Sequence, residues 1–275
     1  MNENQSSYNA HSFGGDFKRE VKRLDAQVDL FWPVEGEFFE RMGLSSASSI
    51  VDLGCGTGRL MQRLQKRFPH APMTGVEIDE TLIKTAQRSF LKAGLTVPLF
   101  INESVSNTKL PDAMFDIAVL RLVLEHLPEP MQALCEAGRI LKPGGKIIVI
   151  DNDFDFHLRT WPPVHELDDY YSAYCAAREK DGGYPRIGRQ LPTMLHEAGF
   201  SSVTLEVLCA HSHSMGDGAF LKSEGQGIPD QLAKAGFFDG KKVFSMKKKW
   251  AAMLRRPGHA IMRQLFCASG VNSAR

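Results

Sequence analysis

Three glycines at alternate positions, Gly54, Gly56 and Gly58, lie in the segment Val51-Asp52-Leu53-Gly54-Cys55-Gly56-Thr57-Gly58. An apolar strand runs into this turn and a helix follows it. Glycine accepts positive φ, and without a side chain it lets a ligand lie against the peptide. Parallel sheets bind ligands beyond the carboxyl ends of their strands, where this turn falls. A dinucleotide fingerprint reads GxGxxG, but here the spacing is GxGxG and Arg59 stands where the third glycine belongs. That glycine serves close helix–strand packing, so its absence argues against NAD. No GK[ST] follows, which excludes an NTP-binding P-loop. Glu77, in Val76-Glu77-Ile78-Asp79, falls at the end of the next strand. A carboxylate there can accept hydrogen bonds from both hydroxyls of a ribose. Taken alone, Glu77 is equally an exposed acid at a strand end; after the glycine turn, it completes a nucleoside site.

The surrounding pattern supplies elements to hold these residues. Val21, Leu24, Val28 and Phe31 fall at helical spacing within residues 16–42, and Pro33 is expected to split that helix in two. From Ser49 onward short apolar runs alternate with amphipathic stretches. The strands are expected at Ile50–Leu53, Met73–Ile78, Val97–Ile101, Phe115–Leu120 and Lys146–Ile150. Helices fall between them, one closed by Gly94 and one by Pro143-Gly144-Gly145. Continuous apolar strands separated by helices indicate a parallel sheet covered on both faces. Residues 152–186 break the rhythm. Leu191–Ala198 reads as helix, Ser202–Leu208 as strand, 211–240 as irregular, Lys241–Leu254 as helix and Ile261–Ala268 as a last strand. The expected organisation is a flexible segment and helical cap over 1–45, then one domain over 46–275 with insertions at about 152–186 and 211–258.

VDLGCGTG, GVEID, FDIAVLRLVLEHL and ILKPGGKIIVID, in that order, resemble the motifs of class I S-adenosylmethionine-dependent methyltransferases. The likeness is to the small-molecule branch, such as quinone-biosynthesis and natural-product enzymes, and covers residues 45 to 208. It implies an α/β fold: a Rossmann-like, doubly wound, mostly parallel seven-stranded sheet with helices on both faces, an N-terminal helical cap and helical insertions. It implies S-adenosyl-L-methionine as cofactor. Gly54, Cys55 and Gly56 would pack against its methionine part, with Asp52 beneath the turn. Glu77 would hold the ribose and Ile78 would lie against the adenine. The family usually has Gly-Asp where this chain has Asn102-Glu103; Glu103 would accept from the adenine amino group and Ser104 would offer its N–H. The Arg121 carbonyl would face the cofactor's ammonium group.

Methyl transfer from a sulfonium is an in-line displacement that needs chiefly positioning, with the nucleophile about 3–3.5 Å from the methyl carbon. A general base is required only when the acceptor must lose a proton. His126 follows the fourth strand and is one base candidate; its alternative is a pocket-shaping residue at a helix start. Asp151 to Glu166 holds Asp151, Asp153, Asp155, His157, His165 and Glu166 with Phe154, Phe156 and Trp161 interleaved. It reads as an acidic, aromatic acceptor wall for an amine-bearing substrate, with Asp153 as the second catalytic candidate, or as a solvated loop. A divalent metal site is a third reading, and no ligand is assigned to it. Tyr170, Tyr171 and Tyr174 line the pocket or pack as core. Tyr8, Phe13 and Phe17 could close over the site as a lid.

Composition bounds the partners. Lys plus Arg total 33 and Asp plus Glu 32, so no global charge points to nucleic acid or membrane. Lys241 to Arg256 holds seven basic residues and no acid, which reads as the wet face of an amphipathic helix whose dry face includes Val243, Phe244, Trp250, Met253 and Leu254. No apolar run is long enough to span a bilayer, and the N-terminus lacks the pattern of a secretory signal. Five scattered cysteines fit reduced thiols in the cytoplasm. A homodimer is compatible with the sequence. An RNA or protein methyltransferase is an alternative. The segment Arg121-Leu122-Val123-Leu124 disfavours it, since amine methylators of nucleic acid resemble one another in an Asn- or Asp-Pro-Pro-Tyr type motif there. A non-catalytic S-adenosylmethionine-binding protein on the same fold is another.

Overall fold

The computed structural model describes residues 16–225 and 227–273. Eight strands form one sheet: β1 (Ile50–Leu53), β2 (Met73–Val76), β3 (Leu99–Ile101), β4 (Phe115–Arg121), β5 (Leu141–Asp151), β6 (Leu158–Trp161), β7 (Phe200–His211) and β8 (Ala260–Asn272). Their order is β3-β2-β1-β4-β5-β8-β6, with β7 on the other edge of β8. The first five strands pair in parallel, and β8 runs antiparallel to β5, β6 and β7. The expected seven strands therefore become eight. The addition is β6, four residues that prolong the sheet along the free edge of β8 beyond the end of β5.

Every residue of β1 and β2 is buried, as an apolar run without alternation requires when helices cover both faces. One face packs Phe31, Phe38, Leu64 and Phe90 against Ile50, Val119 and Ile148. The other packs Leu134, Ile140, Leu191 and Leu195 against Val51, Ala118 and Val149. The helices behind these faces are α1 (Phe17–Arg41), α2 (Arg59–Arg67), α3 (Glu80–Lys92), α4 (Pro130–Ile140), α5 (Glu166–Lys180) and α6 (Leu191–Glu197). Asp79 starts α3 by accepting from the Thr81 and Leu82 amides, and Gly94 follows its end at φ +66°.

Two expectations fail here. Pro33 does not divide the first helix; α1 is continuous across it. The proline removes one intrahelical bond, but Leu30 and Phe31 before it and Phe38 and Phe39 after it are buried in the same core. The stretch 211–240 is not irregular. It holds α7 (Ser212–Met215), α8 (Asp217–Ser223) and α9 (Ile228–Lys234), and α10 (Gly240–Leu254) follows. The three are short, and Gly216, Gly225 and Gly236, all at positive φ, lie between and after them. Phe220, Ile228 and Leu232 are their buried anchors. On α10, Val243 and Met253 are buried as expected, whereas Phe244 is 73% exposed. Lys242, Lys247 and Lys249 pair with Asp169, Asp230 and Glu166, which accounts for much of the basic run. No helix among the described residues is long and apolar enough to cross a membrane.

Candidate active site

The carboxyl ends of β1, β2, β4 and β5 open onto one cavity of about 510 Å³, within the usual range for small-molecule sites. The glycine turn forms its floor. The amides of Gly54 and Cys55 donate to the Val76 carbonyl at 2.8 and 3.0 Å, and that of Gly58 to the Cys55 carbonyl at 2.9 Å. Gly54 sits at φ +80°, and a Cβ there would lie 2.6 Å from Val123 Cγ2, so only glycine fits. At Gly56, φ is +52° and an added Cβ would meet no protein atom within 4 Å. That face of the turn is bare peptide.

Glu77 ties the turn to β2. Its Oε2 accepts from the Gly56 amide at 2.9 Å and its Oε1 from the Asp79 amide at 3.0 Å. Burial raises its pKa, and those two amides oppose the rise. Each oxygen keeps a lone pair for a further donor. Asn102 straps the neighbouring peptide, its amide donating to the Glu77 and Ile78 carbonyls at 2.9 and 2.8 Å. Asp52 is buried, and its Oδ2 has no hydrogen-bond partner among the described residues. Burial pushes its pKa up to about 7, with Arg121 opposing and Glu77 adding to the rise.

Helix α1 closes this side. Thr57 donates to Asp25 at 2.6 Å, and Asp29 is held by both Arg59 and Arg63 at 2.7 Å. Arg121 is buried with its guanidinium on Glu35 of α1 at 2.9 Å and on the Gln27 carbonyl at 3.1 Å. Sequence reasoning missed Glu35 and Asp25, which belong to no motif and are brought to this side only by the fold, and it gave Asn102 no role of its own.

Asp52, Gly54, Cys55, Gly56, Glu77, Ile78, Ser104 and Arg121 all line the cavity. Glu103 is not among its lining residues; its carboxylate pairs with Lys109 at 2.7 Å. The glutamate arm reaches along the surface, and Ser104, Val105 and Ser106 form the wall instead. Asp153 is a correction. It is fully buried, lies outside the lining, and holds Arg189 through both carboxylate oxygens. That contact anchors the chain after β5 and leaves no carboxylate for catalysis. His126 does line the cavity. Burial, then the fields of Arg178 and Arg23, lower its pKa to about 3, so it is neutral at working pH and a weak base. Tyr8 and Phe13 lie outside the described residues.

The other half of the cavity is walled by side chains from distant segments. Phe154, Tyr170, Tyr171 and Tyr174 are all buried and all line it. Tyr174 and Phe154 have ring centroids 4.5 Å apart, and Phe154 stacks on His157 at 4.4 Å. A polar chain crosses this wall. The Asn152 amide donates to Glu125 Oε1 at 2.6 Å, His157 Nδ1 lies 3.1 Å from Asn152 Oδ1, and His157 Nε2 lies 3.1 Å from Glu224 Oε2. Glu224 also pairs with Arg263 at 3.0 Å, and these partners lower its pKa to about 2 against the cost of burial.

The first half fits a nucleoside bearing an ammonium group. Asp52 offers a buried oxygen without a donor, Gly56 offers open peptide, and Glu77 offers two lone pairs beside the exposed apolar side chain of Ile78. Residues 51–149 match the model of the methyltransferase domain family. Fold, site and match together define a class I S-adenosylmethionine-dependent methyltransferase domain, and S-adenosylmethionine is its cofactor. The chain is 27% identical over 180 residues to the demethylmenaquinone methyltransferase of Listeria monocytogenes, covering 61% of this chain and 76% of that one. It is 28% identical over 189 residues to a 37.1 kDa protein of transposon TN4556 from Streptomyces fradiae, covering 68% of this chain but only 53% of the relative. The fold is shared with phosphoethanolamine N-methyltransferase 2 of Haemonchus contortus, at a TM-score of 0.58 and 15% identity over 90% of this chain and 56% of that one.

Proposed function

We propose that this chain transfers a methyl group from S-adenosylmethionine to a small-molecule acceptor held in the aromatic half of the cavity. The observation that carries this is the wall itself: Phe154, Tyr170, Tyr171 and Tyr174 are each under 8% exposed yet line the space that continues from the glycine turn. Residues of α1, α5 and α8 line this space, which is of a size that suits a small molecule. The Listeria relative is named for a small-molecule acceptor, which supports the same reading.

When bound, the cofactor supplies an electrophilic methyl carbon on a cationic sulfur. The chain's own residues then bind and orient. Asp52 and Glu77 would hold the cofactor's polar groups, and the turn would carry it beside the aromatic half. The rings exclude water, which strengthens every charge interaction inside.

The test is methyl-labelled cofactor incubated with the protein and a cell extract, then separated by size. Label in the low-mass fraction supports the proposal. Label only in RNA or protein moves the acceptor to the macromolecular class. Cofactor binding with no demethylated product in any fraction leaves a binding module.

A further inference from the structure

Glu125 is set apart from other acids of the fold by what surrounds it. Glu20 is gripped by Arg23 at 2.8 and 2.6 Å, and Glu224 by Arg263 at 3.0 Å. Glu125 sits at the single 3-10 turn Leu124–His126 beyond β4 and is 4% exposed. Its Oε1 takes the neutral Asn152 amide at 2.6 Å. Its Oε2 accepts no hydrogen bond among the described residues, and the residue lines the cavity. The imidazole nearest to it, His126 at 3.6 Å, is held neutral. No arginine or lysine among the described residues pairs with it directly, and the fields of Arg263, Arg23 and Arg178 do not offset burial; an unpaired buried carboxylate is costly by several kcal/mol. It must carry a proton or receive a cationic guest. Phe154, Tyr170, Tyr171 and Tyr174 line the same space, and aromatic rings attract a cation by their quadrupoles.

We propose that the acceptor is a small amine that enters as an ammonium ion among these four rings and gives its proton to Glu125. This rests on the reading that the aromatic half receives the acceptor. The N–H bond breaks, the proton goes to Glu125 Oε2, and the electron pair stays on nitrogen. That lone pair is the nucleophile methyl transfer requires. Glu125 thus takes the place expected for His126 or Asp153. The network through Asn152, His157 and Glu224 positions it.

The charged and titratable groups around Glu125 are Arg23 of α1, His126 of its own turn, Asp151 and His157 at and after the end of β5, Tyr174 and Arg178 of α5, Glu224 after α8 and Arg263 of β8. Burial and the neighbouring Glu125 raise the Asp151 pKa well above the usual range. His126 and His157 are lowered to about 3 and about 4, and Glu224 to about 2. Burial raises Glu125 itself to about 7. It gains charge between pH 6 and pH 8.

The experiment is calorimetry on the whole chain saturated with S-adenosylhomocysteine. The probes are primary, secondary and tertiary amines of up to about twelve heavy atoms, each beside its neutral carbon isostere; 2-dimethylaminoethanol and 3-methylbutan-1-ol form one pair. The expected result is an amine bound at least tenfold more tightly than its isostere at pH 8. Its affinity should rise about tenfold from pH 6 to pH 8, as a group with a pKa near 7 ionises. Glu125→Gln should lose both the preference and the rise, and Glu125→Asp should restore part of each. Asp52 ionises in the same interval but in the other half, so it would leave the rise intact in Glu125→Gln. No amine preferred over its isostere, or a preference surviving Glu125→Gln in a protein of normal melting temperature, overturns the proposal. Failure of S-adenosylhomocysteine itself to bind would instead overturn the reading of the first half.

Discussion

One half of the cavity is made mostly of peptide and the other mostly of side chains. The cofactor half draws chiefly on the turn after β1 and the ends of β2 and β3, about fifty residues of chain, with Arg121 of β4 and helix α1 behind them. The acceptor half draws on α1, the turn after β4, the segment after β5, α5, the end of α8 and β8. A cofactor common to many proteins is held by backbone geometry, which glycine spacing encodes locally. An acceptor particular to one protein is held by side chains that only the tertiary fold brings together. The first half therefore tolerates little change in its backbone, and the second little change in its charges.

Substitutions can break or sharpen this contrast. The largest effect is expected from Gly56→Val. The new side chain meets no protein atom close by, so its clash is with the ligand, and positive φ adds about 1–2 kcal/mol of strain. Titration calorimetry should show S-adenosylhomocysteine affinity down at least a hundredfold, about 3 kcal/mol. Normal binding by the folded variant would remove the turn from the site. Glu77→Ala comes next, with a loss of about 1.5–3 kcal/mol in the same titration; unchanged affinity would remove Glu77.

Asp52→Asn probes the link between cofactor and pH. Without cofactor, the folded state holds Asp52 at a pKa of about 7, against the usual 3.8. The folded protein therefore keeps a proton that the unfolded chain has lost, and stability falls as pH rises from about 4 to 7. The asparagine variant should melt a few degrees higher than the parent at pH 8 and no higher at pH 4, while binding cofactor more weakly. A parent and variant with parallel melting curves across that range would show that Asp52 is not held protonated. The smallest effect belongs to Asp153→Asn. Its partner Arg189 is 44% exposed, so the cost should be about 1 kcal/mol of stability, read as a small drop in melting temperature. Affinities for cofactor and amine should stay within about twofold. Lost methyl transfer in a stable, cofactor-binding variant would return Asp153 to the reaction.

The sequence made the parallel strands legible because each is an unbroken apolar run between glycines or helices. It made Asp52, Gly56 and Glu77 legible because each falls at or just after the end of an apolar run, where a parallel sheet opens onto its site. Pro33 misled because local propensity favours a break, while Phe31 and Phe38, in one core, enforce continuity. The helices from Ser212 to Lys234 escaped because their apolar anchors are single residues within one or two turns, too few to show a period. Glu125 lay in view inside Leu124-Glu125-His126-Leu127, yet the eye goes to the histidine. Its lack of a direct cation partner shows only in the fold, where Arg23 and Arg263 pair with Glu20 and Glu224 instead.

His157 has an oxygen on each side, Glu224 Oε2 and Asn152 Oδ1, both at 3.1 Å. A singly protonated imidazole can donate to one of them only. Either the ring carries two protons, or the Asn152 amide is turned, offering its NH₂ to the ring and its oxygen to a protonated Glu125. The amide's two ends are alike in shape, and both arrangements hold the same number of hydrogens. The Asn152 amide therefore links the proton on Glu125 to the ring of His157, whose lowered pKa favours the turned arrangement. A guest that changes the charge at residue 125 is felt at residue 157, where imidazole nitrogen resonances can be watched.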